Sequence, residues 1–304
     1  MYLEHYIKEL TKNEYPDFID KYLVAPSLLR LKKVGYFCGM DYASKDIYNF
    51  SEYISRFDHS LTVALLTYRL TNNKKATLAG LFHDISTPCF SHVIDYMNED
   101  FETQESTEQY TEYIIKKDKY LQKLLKQDNI DSEDIINFKK YSIVDNERPK
   151  LCTDRLDGVI LTGMCWTKNI TKQDITNILN SICIFNNEDN DPEIGFNNLK
   201  IAQKVLIVSK SIDIYCHSKE DNYMMQFLAK MTKYAITKGY IKYENLYYYN
   251  EEELLILLTN INDTFLQESI NTFKTIKKEK IPTIESPKIK IRSLFPIVNG
   301  RRIK

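Results

Sequence analysis

At 304 residues and a net charge of −1, the chain is long enough to bury a full core, as one large domain or two modest ones. No global basic field argues for nucleic acid, and no acidic tail argues for a solvating segment. Eight glycines and eight prolines leave few turn signals between long periodic runs, which favours helices over a sandwich or barrel of many short strands. Six cysteines lie scattered with no C-x-x-C pair, and the start Met1-Tyr2-Leu3-Glu4-His5 lacks the features of a secretory signal. Reduced thiols in a cytoplasmic protein are the expectation. No apolar run approaches the roughly 18 residues of a membrane span.

In chain order, residues 1–12 and 16–23 read as short amphipathic helices, and another starts at Pro26. From Ser60 to Leu70, His59, Val63 and Leu66 share one face by the i, i+4, i+7 rule, so a ligand at its start points into the bundle. Ala76 to His83 reads as a second buried helix whose small residues permit close contact. Pro88 then breaks the chain, making 86–90 an irregular loop. Helical patterns follow at 104–127, 131–140, 151–166 and 171–184. The polar run Asn186–Pro192 is the clearest exposed loop, and 197–218, 221–238 and 251–278 read as long helices. Beyond Ile281-Pro282, alternating basic and apolar residues predict a short β segment near 288–297. The expected organisation is a domain at 1–185 and a helical C-terminal extension with a basic tail at 186–304, packed as one unit.

The chemistry concentrates in few residues. Of five histidines, three (His59, His83 and His92) fall between 59 and 92. Two imidazoles and two carboxylates on helical flanks are what a hard or borderline metal ion needs, and no thiolate is required. His83-Asp84 puts a nitrogen and an oxygen ligand on one short segment, with Asp154-Arg155-Leu156-Asp157 far downstream.

The order H…HD…D, with the blocks Arg56-Phe57-Asp58-His59-Ser60-Leu61, Ala79-Gly80-Leu81-Phe82-His83-Asp84, Phe90-Ser91-His92 and Asp154-Arg155-Leu156-Asp157, resembles the HD-domain metal-dependent phosphohydrolases. Its flanks look like the deoxynucleoside-triphosphate triphosphohydrolase branch, which includes the SAM-and-HD-domain enzymes. The similarity spans residues 15–160. It implies a mostly α-helical HD fold, and His59, His83, Asp84 and Asp154 as ligands of one divalent ion among Mn, Fe, Ni, Zn and Mg. It also implies Arg56 and Arg155 as phosphate contacts, and His92, Asp95 and Glu105 as the groups that handle protons while water attacks phosphorus. Its relatives assemble into oligomers, so a homo-oligomer is expected.

The chain also departs from that pattern. Thr87 stands where the loop after His-Asp usually supplies another histidine, and Gln104-Glu105 where a His-Glu pair is usual. Gly158 replaces an aromatic residue that packs on the sugar, and Thr162 an acidic one. These departures keep two alternatives open: a phosphomonoesterase or cyclic-nucleotide phosphodiesterase, and a nucleotide sensor that holds metal without turnover.

Each residue also has an ordinary reading. His59 and His83 could be core histidines, Arg56 a salt-bridging residue, His92 a packed histidine and Glu105 a helix-start acid. Asp157 reads as organising Arg155 or a helix end, and His5 and His217 as surface or structural. The Tyr240–Tyr249 cluster reads as packing sooner than as a base-stacking platform. The basic tail reads as a solvated edge strand or as a contact for nucleic acid or a phosphate effector.

Overall fold

A computed structural model describes residues 1–104, 106–285 and 287–303. Among the described residues there are fourteen α-helices and one small sheet, so the chain is mostly helical. The helices of the N-terminal half are α1 (Tyr2–Leu10), α2 (Pro26–Leu29), α3 (Arg56–Thr71), α4 (Lys74–Phe82), α5 (Val93–Met97), α6 (Thr111–Lys117), α7 (Lys119–Gln127) and α8 (Glu133–Ile136). After them come α9 (Thr153–Cys165), α10 (Lys172–Ser181), α11 (Leu199–Cys216), α12 (Lys219–Thr237), α13 (Glu251–Asn260) and α14 (Thr264–Thr275). No described helix is long and apolar enough to cross a membrane.

The helix that carries Arg56 and His59 starts at a capping box. Ser55 accepts from the Asp58 backbone N–H, and the Asp58 carboxylate accepts from the Ser55 N–H at 2.8 Å. The α3 helix then packs on both α4 and α9. A Cβ on Gly80 of α4 would lie 3.2 Å from Val63 Cγ1 and 3.3 Å from Thr67 Oγ1, so glycine permits the close approach. The hydroxyls of Thr67 and Thr153 meet at 2.9 Å and tie α3 to α9. The largest buried apolar cluster runs from Tyr6 and Leu10 of α1, through Leu156 and Ile160 of α9, to Leu294 and Val298 of the tail.

The sheet revises two expectations from the sequence. Residues 182–186 form strand β1 (Ile182–Asn186) instead of continuing a helix, because Ile182, Ile184 and Phe185 are strand formers followed by a five-residue polar turn. This strand pairs antiparallel with β2 (Pro192–Phe196), so the exposed run 187–191 is a hairpin loop. Residues 287–296 run without ladder pairing. The tail's strands are instead β3 (Ile297–Val298), parallel to β2, and β4 (Arg301–Arg302). Arg302 fastens this end with a fork of two 2.8 Å bonds to the fully buried Glu193 carboxylate. Two long helical patterns also break where an aspartate caps the next helix: Asp118 before α7 and Asp263 before α14.

One buried acid sits at a seam of the fold. Glu251, the first residue of α13, is fully buried and accepts from the Phe90 N–H at 3.3 Å. Its Oε2 and the Oδ2 of Asp41 flank Gly35, at 2.9 and 2.6 Å from where a Cβ would stand, and neither oxygen has a hydrogen bond among the described residues. Burial, reinforced by Asp41, pushes the Glu251 carboxyl up to about 8. An acid whose pKa is raised on folding stabilises the fold fully below its unfolded value, and that contribution fades as pH rises through the folded pKa. Stability should therefore fall between 4.5 and about 8. Glu251→Gln removes the titration. Its melting temperature relative to the parent protein should rise as pH goes from about 5 to 9, by the equivalent of a few kcal/mol; a pH-independent difference would contradict this account.

Candidate active site

Three segments bring the four expected ligands together: α3 with His59, the end of α4 with His83 and Asp84, and the first turn of α9 with Asp154. His59 is 1% exposed and held from both sides. Its Nδ1 lies 2.7 Å from Asp157 Oδ2 and its Nε2 lies 3.1 Å from Asp154 Oδ1. His83 donates from Nδ1–H to the Gly80 carbonyl at 2.7 Å, since a carbonyl only accepts. The other ring nitrogen, Nε2, is buried with no hydrogen bond among the described residues. It faces Asp154 Oδ1 at 3.6 Å and Asp84 Oδ1 at 3.8 Å, and Asp84 Oδ2 stands 3.9 Å from His59 Nε2.

These separations exceed direct hydrogen bonding but suit groups that converge on one ion. Ligand atoms of His59, His83 and Asp154 lie within 4.8 Å of one another, and Asp84 adjoins them. An orphaned buried imidazole nitrogen among carboxylates fits a divalent cation, and the donor set of two nitrogens and carboxylate oxygens admits several. Without an ion, the site is a knot of proton sharing. Burial works against charging His83, but Asp84 and Asp154 outweigh it and hold its pKa up at about 10. Burial likewise opposes charging of His59, which the Asp154 and Asp157 bonds push upward. Although burial raises them, Asp84 is held below the usual carboxylate range by Arg56 and His83, and Asp154 by both histidines. An incoming cation must displace those protons.

Asp157 plays a part that the sequence reading misassigned. It does not organise Arg155. It is fully buried, receives the Tyr6 hydroxyl at 2.8 Å and fixes the His59 ring. Arg155 is instead held by Asp145 at 3.0 Å, the Lys150 carbonyl at 3.0 Å and the Asn146 side chain. Arg56 is 6% exposed and spends its guanidinium on Asp84 Oδ2 at 2.8 Å, Ser91 Oγ at 3.1 Å and the Tyr36 carbonyl at 3.4 Å. Both arginines line the cavity described below.

The loop that delivers His92 is strained. Phe90 and Ser91 sit at φ values of 64° and 46°, left-handed geometry that non-glycine residues adopt at a cost of about 1–3 kcal/mol each. Ser91 is pinned there by Arg56 and by donating to the Gly35 carbonyl at 3.3 Å. His92 Nδ1 then meets the fully buried Asp95 carboxylate at 2.8 Å, leaving Nε2 without a bond among the described residues. His92 lines the cavity and is 30% exposed. Glu105 lies outside the described residues. Thr87 is buried and does not line the cavity, and Gln104 accepts from Arg292 at 3.1 Å. His5 and His217 bond to the Lys172 and Asp213 carbonyls, away from this region.

The cavity encloses about 800 Å³ and opens from the ligand set toward two chemically different walls. One is aromatic, with Phe37, Tyr48, Phe50 and Trp166 in mutual ring contact. The other is basic, with Arg148, Arg155 and Arg292. Tyr36, whose local sequence context does not mark it out, lies 4.9 Å from the Arg56 guanidinium carbon and tilts against the His59 ring at 4.9 Å. Its hydroxyl takes the space beside Gly158, where a Cβ would approach to 2.8 Å.

Residues 56–158, which carry this His, His-Asp, Asp set, match the HD-domain family. Two further likenesses extend over more of the chain. The uncharacterized protein YdhJ of Bacillus subtilis is 25% identical over 218 residues, 70% of this chain and 64% of YdhJ. The match thus spans less than two thirds of that relative's length. The crystal structure of a hypothetical protein from Aquifex aeolicus superimposes with a TM-score of 0.60 at 19% identity, covering 83% of this chain and 69% of the other, a likeness of fold.

Outer partners of metal-bound histidines fix tautomer and ring orientation, and losing one typically weakens metal binding about 10–100-fold. Asp157→Asn should therefore lower Mn affinity within that range, read by titration calorimetry. Lys172→Ala, beside His5, should not change it. Unaltered affinity in Asp157→Asn would remove Asp157 from the site.

Proposed function

We propose that the protein hydrolyses nucleotides, with deoxynucleoside triphosphates the leading substrates and triphosphate plus nucleoside the products. The observation that supports this most is that one cavity is lined together by the ligand set, an aromatic cluster and three arginines. An aromatic face suits a nucleobase, guanidinium groups suit phosphates, and the reacting phosphorus would lie between them. His59, His83, Asp84 and Asp154 would hold one divalent ion. Such an ion, when bound, polarises a phosphoryl oxygen and acidifies a water.

The remaining work falls to side chains of this chain. Water adds to phosphorus, the bond from phosphorus to the sugar 5′-oxygen breaks, and that oxygen leaves with a proton. His92 stands as the proton donor, its Nδ1 committed to Asp95 so that Nε2 is the reacting nitrogen. Arg56, braced by Asp84 and Ser91, would offset charge on the attacked phosphate. Arg155 would meet a phosphate at the cavity rim.

A second reading, a nucleotide sensor without turnover, draws on one feature. Of the two positions where the resemblance expects proton-handling histidines, Thr87 is buried outside the cavity and Gln104 is engaged by Arg292. A turnover screen separates the two. Protein loaded with Mn, Fe, Mg or Ni should release triphosphate from deoxynucleoside triphosphates, and Asp84→Ala should abolish the release. His92→Gln should lower kcat by about 10²–10⁴ with little change in KM. Nucleotide binding without any phosphate product from the parent protein would favour the sensor.

A further inference from the structure

The tail between Ile289 and Leu294 is not a free edge. Both of these residues are 4% exposed, and the segment is stitched to three separate elements. Lys290 donates its backbone N–H to the Phe101 carbonyl at 3.0 Å and its side chain to the Thr103 carbonyl at 2.8 Å. The Arg292 N–H donates to Asp213 at 3.1 Å, and its carbonyl accepts from Ser209 at 3.3 Å, both on α11. The Phe295 N–H donates to the Pro149 carbonyl at 2.9 Å, joining the tail to the loop that carries Arg148.

This stitching aims Arg292 into the cavity. Its only side-chain partners among the described residues are neutral oxygens, of Gln104 at 3.1 Å and the Lys290 carbonyl at 3.5 Å. Arg148 lines the same cavity and makes no hydrogen bond or ion pair among the described residues. Burial, then repulsion from Arg155 and Arg292, pushes its guanidinium down to about 10. Three guanidinium groups gather in a partly desolvated wall where only Arg155 is in an ion pair, with Asp145, and Asp154 and Asp221 act on Arg148 and Arg292 from farther off; a multiply charged anion relieves such an arrangement.

We propose that Arg148 and Arg292 form a clamp for the phosphates beyond the attacked one, so that the C-terminal tail completes the binding site and selects a polyphosphate chain over a monophosphate. The clamp rests on the nucleotide reading above for its biological ligand, but its chemistry can be tested without turnover. In a metal-free buffer with chelator, the whole protein is titrated with inorganic tripolyphosphate and, separately, with inorganic phosphate. The parent protein should bind tripolyphosphate more tightly than phosphate, and Arg148→Gln and Arg292→Gln should each weaken tripolyphosphate binding by about tenfold or more, as expected for loss of a charge-assisted contact. Arg148→Gln removes no native bond, so it stays informative even if Arg292→Gln unfolds. With nucleoside triphosphates, both variants should raise KM about as much and leave kcat near the parent value.

Tripolyphosphate affinity unchanged in Arg148→Gln, or no preference over phosphate in the parent protein, would overturn the clamp. Hydrolysis of nucleoside triphosphates with an unaltered KM in the variants would also overturn it while leaving the nucleotide reading intact. Loss of tripolyphosphate binding in the variants, in a protein that hydrolyses no nucleotide, would support the clamp and count against that reading alone.

Discussion

The bond between His59 Nδ1 and Asp157 Oδ2 is the constraint around which the site is arranged. A buried carboxylate that takes one side of an imidazole decides which nitrogen faces the cavity. Tyr6 of α1 satisfies its other oxygen, and Thr67 and Thr153 lock α3 and α9 together nearby, one turn from Asp157 along α9. The same helix contact sets Asp154 against His59, and the small residues of α4 bring His83 up beside them. The candidate metal site is thus a consequence of helix packing: three helices meet closely enough that their polar residues share one pocket.

Electrostatics divides the cavity in two. At the ligand end, acids and imidazoles are matched, and Arg56 is already neutralised by Asp84. At the tail end, neither Arg148 nor Arg292 has an ion-pair partner among the described residues, and Asp154 and Asp221 act on them only from farther off. A surface arginine without a partner costs little, since water solvates it. Inside a cavity wall the same group carries a desolvation cost that an anionic ligand offsets, and that asymmetry favours anions over neutral molecules of equal size.

Much of this was legible in the sequence where chemistry is written locally. The His-Asp pair, the face shared by His59 and Val63, and the loop at Pro88 all reside within a few residues of each other, and the structure brings the four expected ligands into one pocket. What escaped was set by distance or by competition. Asp157 reads locally as organising Arg155 or a helix end, since no pattern reveals a partner 98 positions away. Tyr36, Arg148 and Arg292 sit in unremarkable contexts, and only the path of the loops brings them to the cavity. The hairpin at 182–196 was read as helix and loop because a short apolar run followed a helical one, where periodicity does not discriminate. The alternation at 288–292 predicts a strand, yet Ile289 is buried while Ile291 is exposed, and the segment bonds to Phe101, Thr103 and α11 instead of to a ladder.

The way the tail is attached has a further consequence for how the protein opens. Its hold on the cavity consists of scattered single bonds and two buried apolar side chains, whereas the ligand set lies within the packed contact of α3, α4 and α9. Segments with few apolar contacts detach in partial opening events well below the free energy of global unfolding. The residues near 289–294 can therefore lift away while the histidines and aspartates keep their places. Such an excursion would uncover Arg292 and a route from solvent to the cavity while the pocket of histidines and aspartates, held by helix packing, keeps its arrangement.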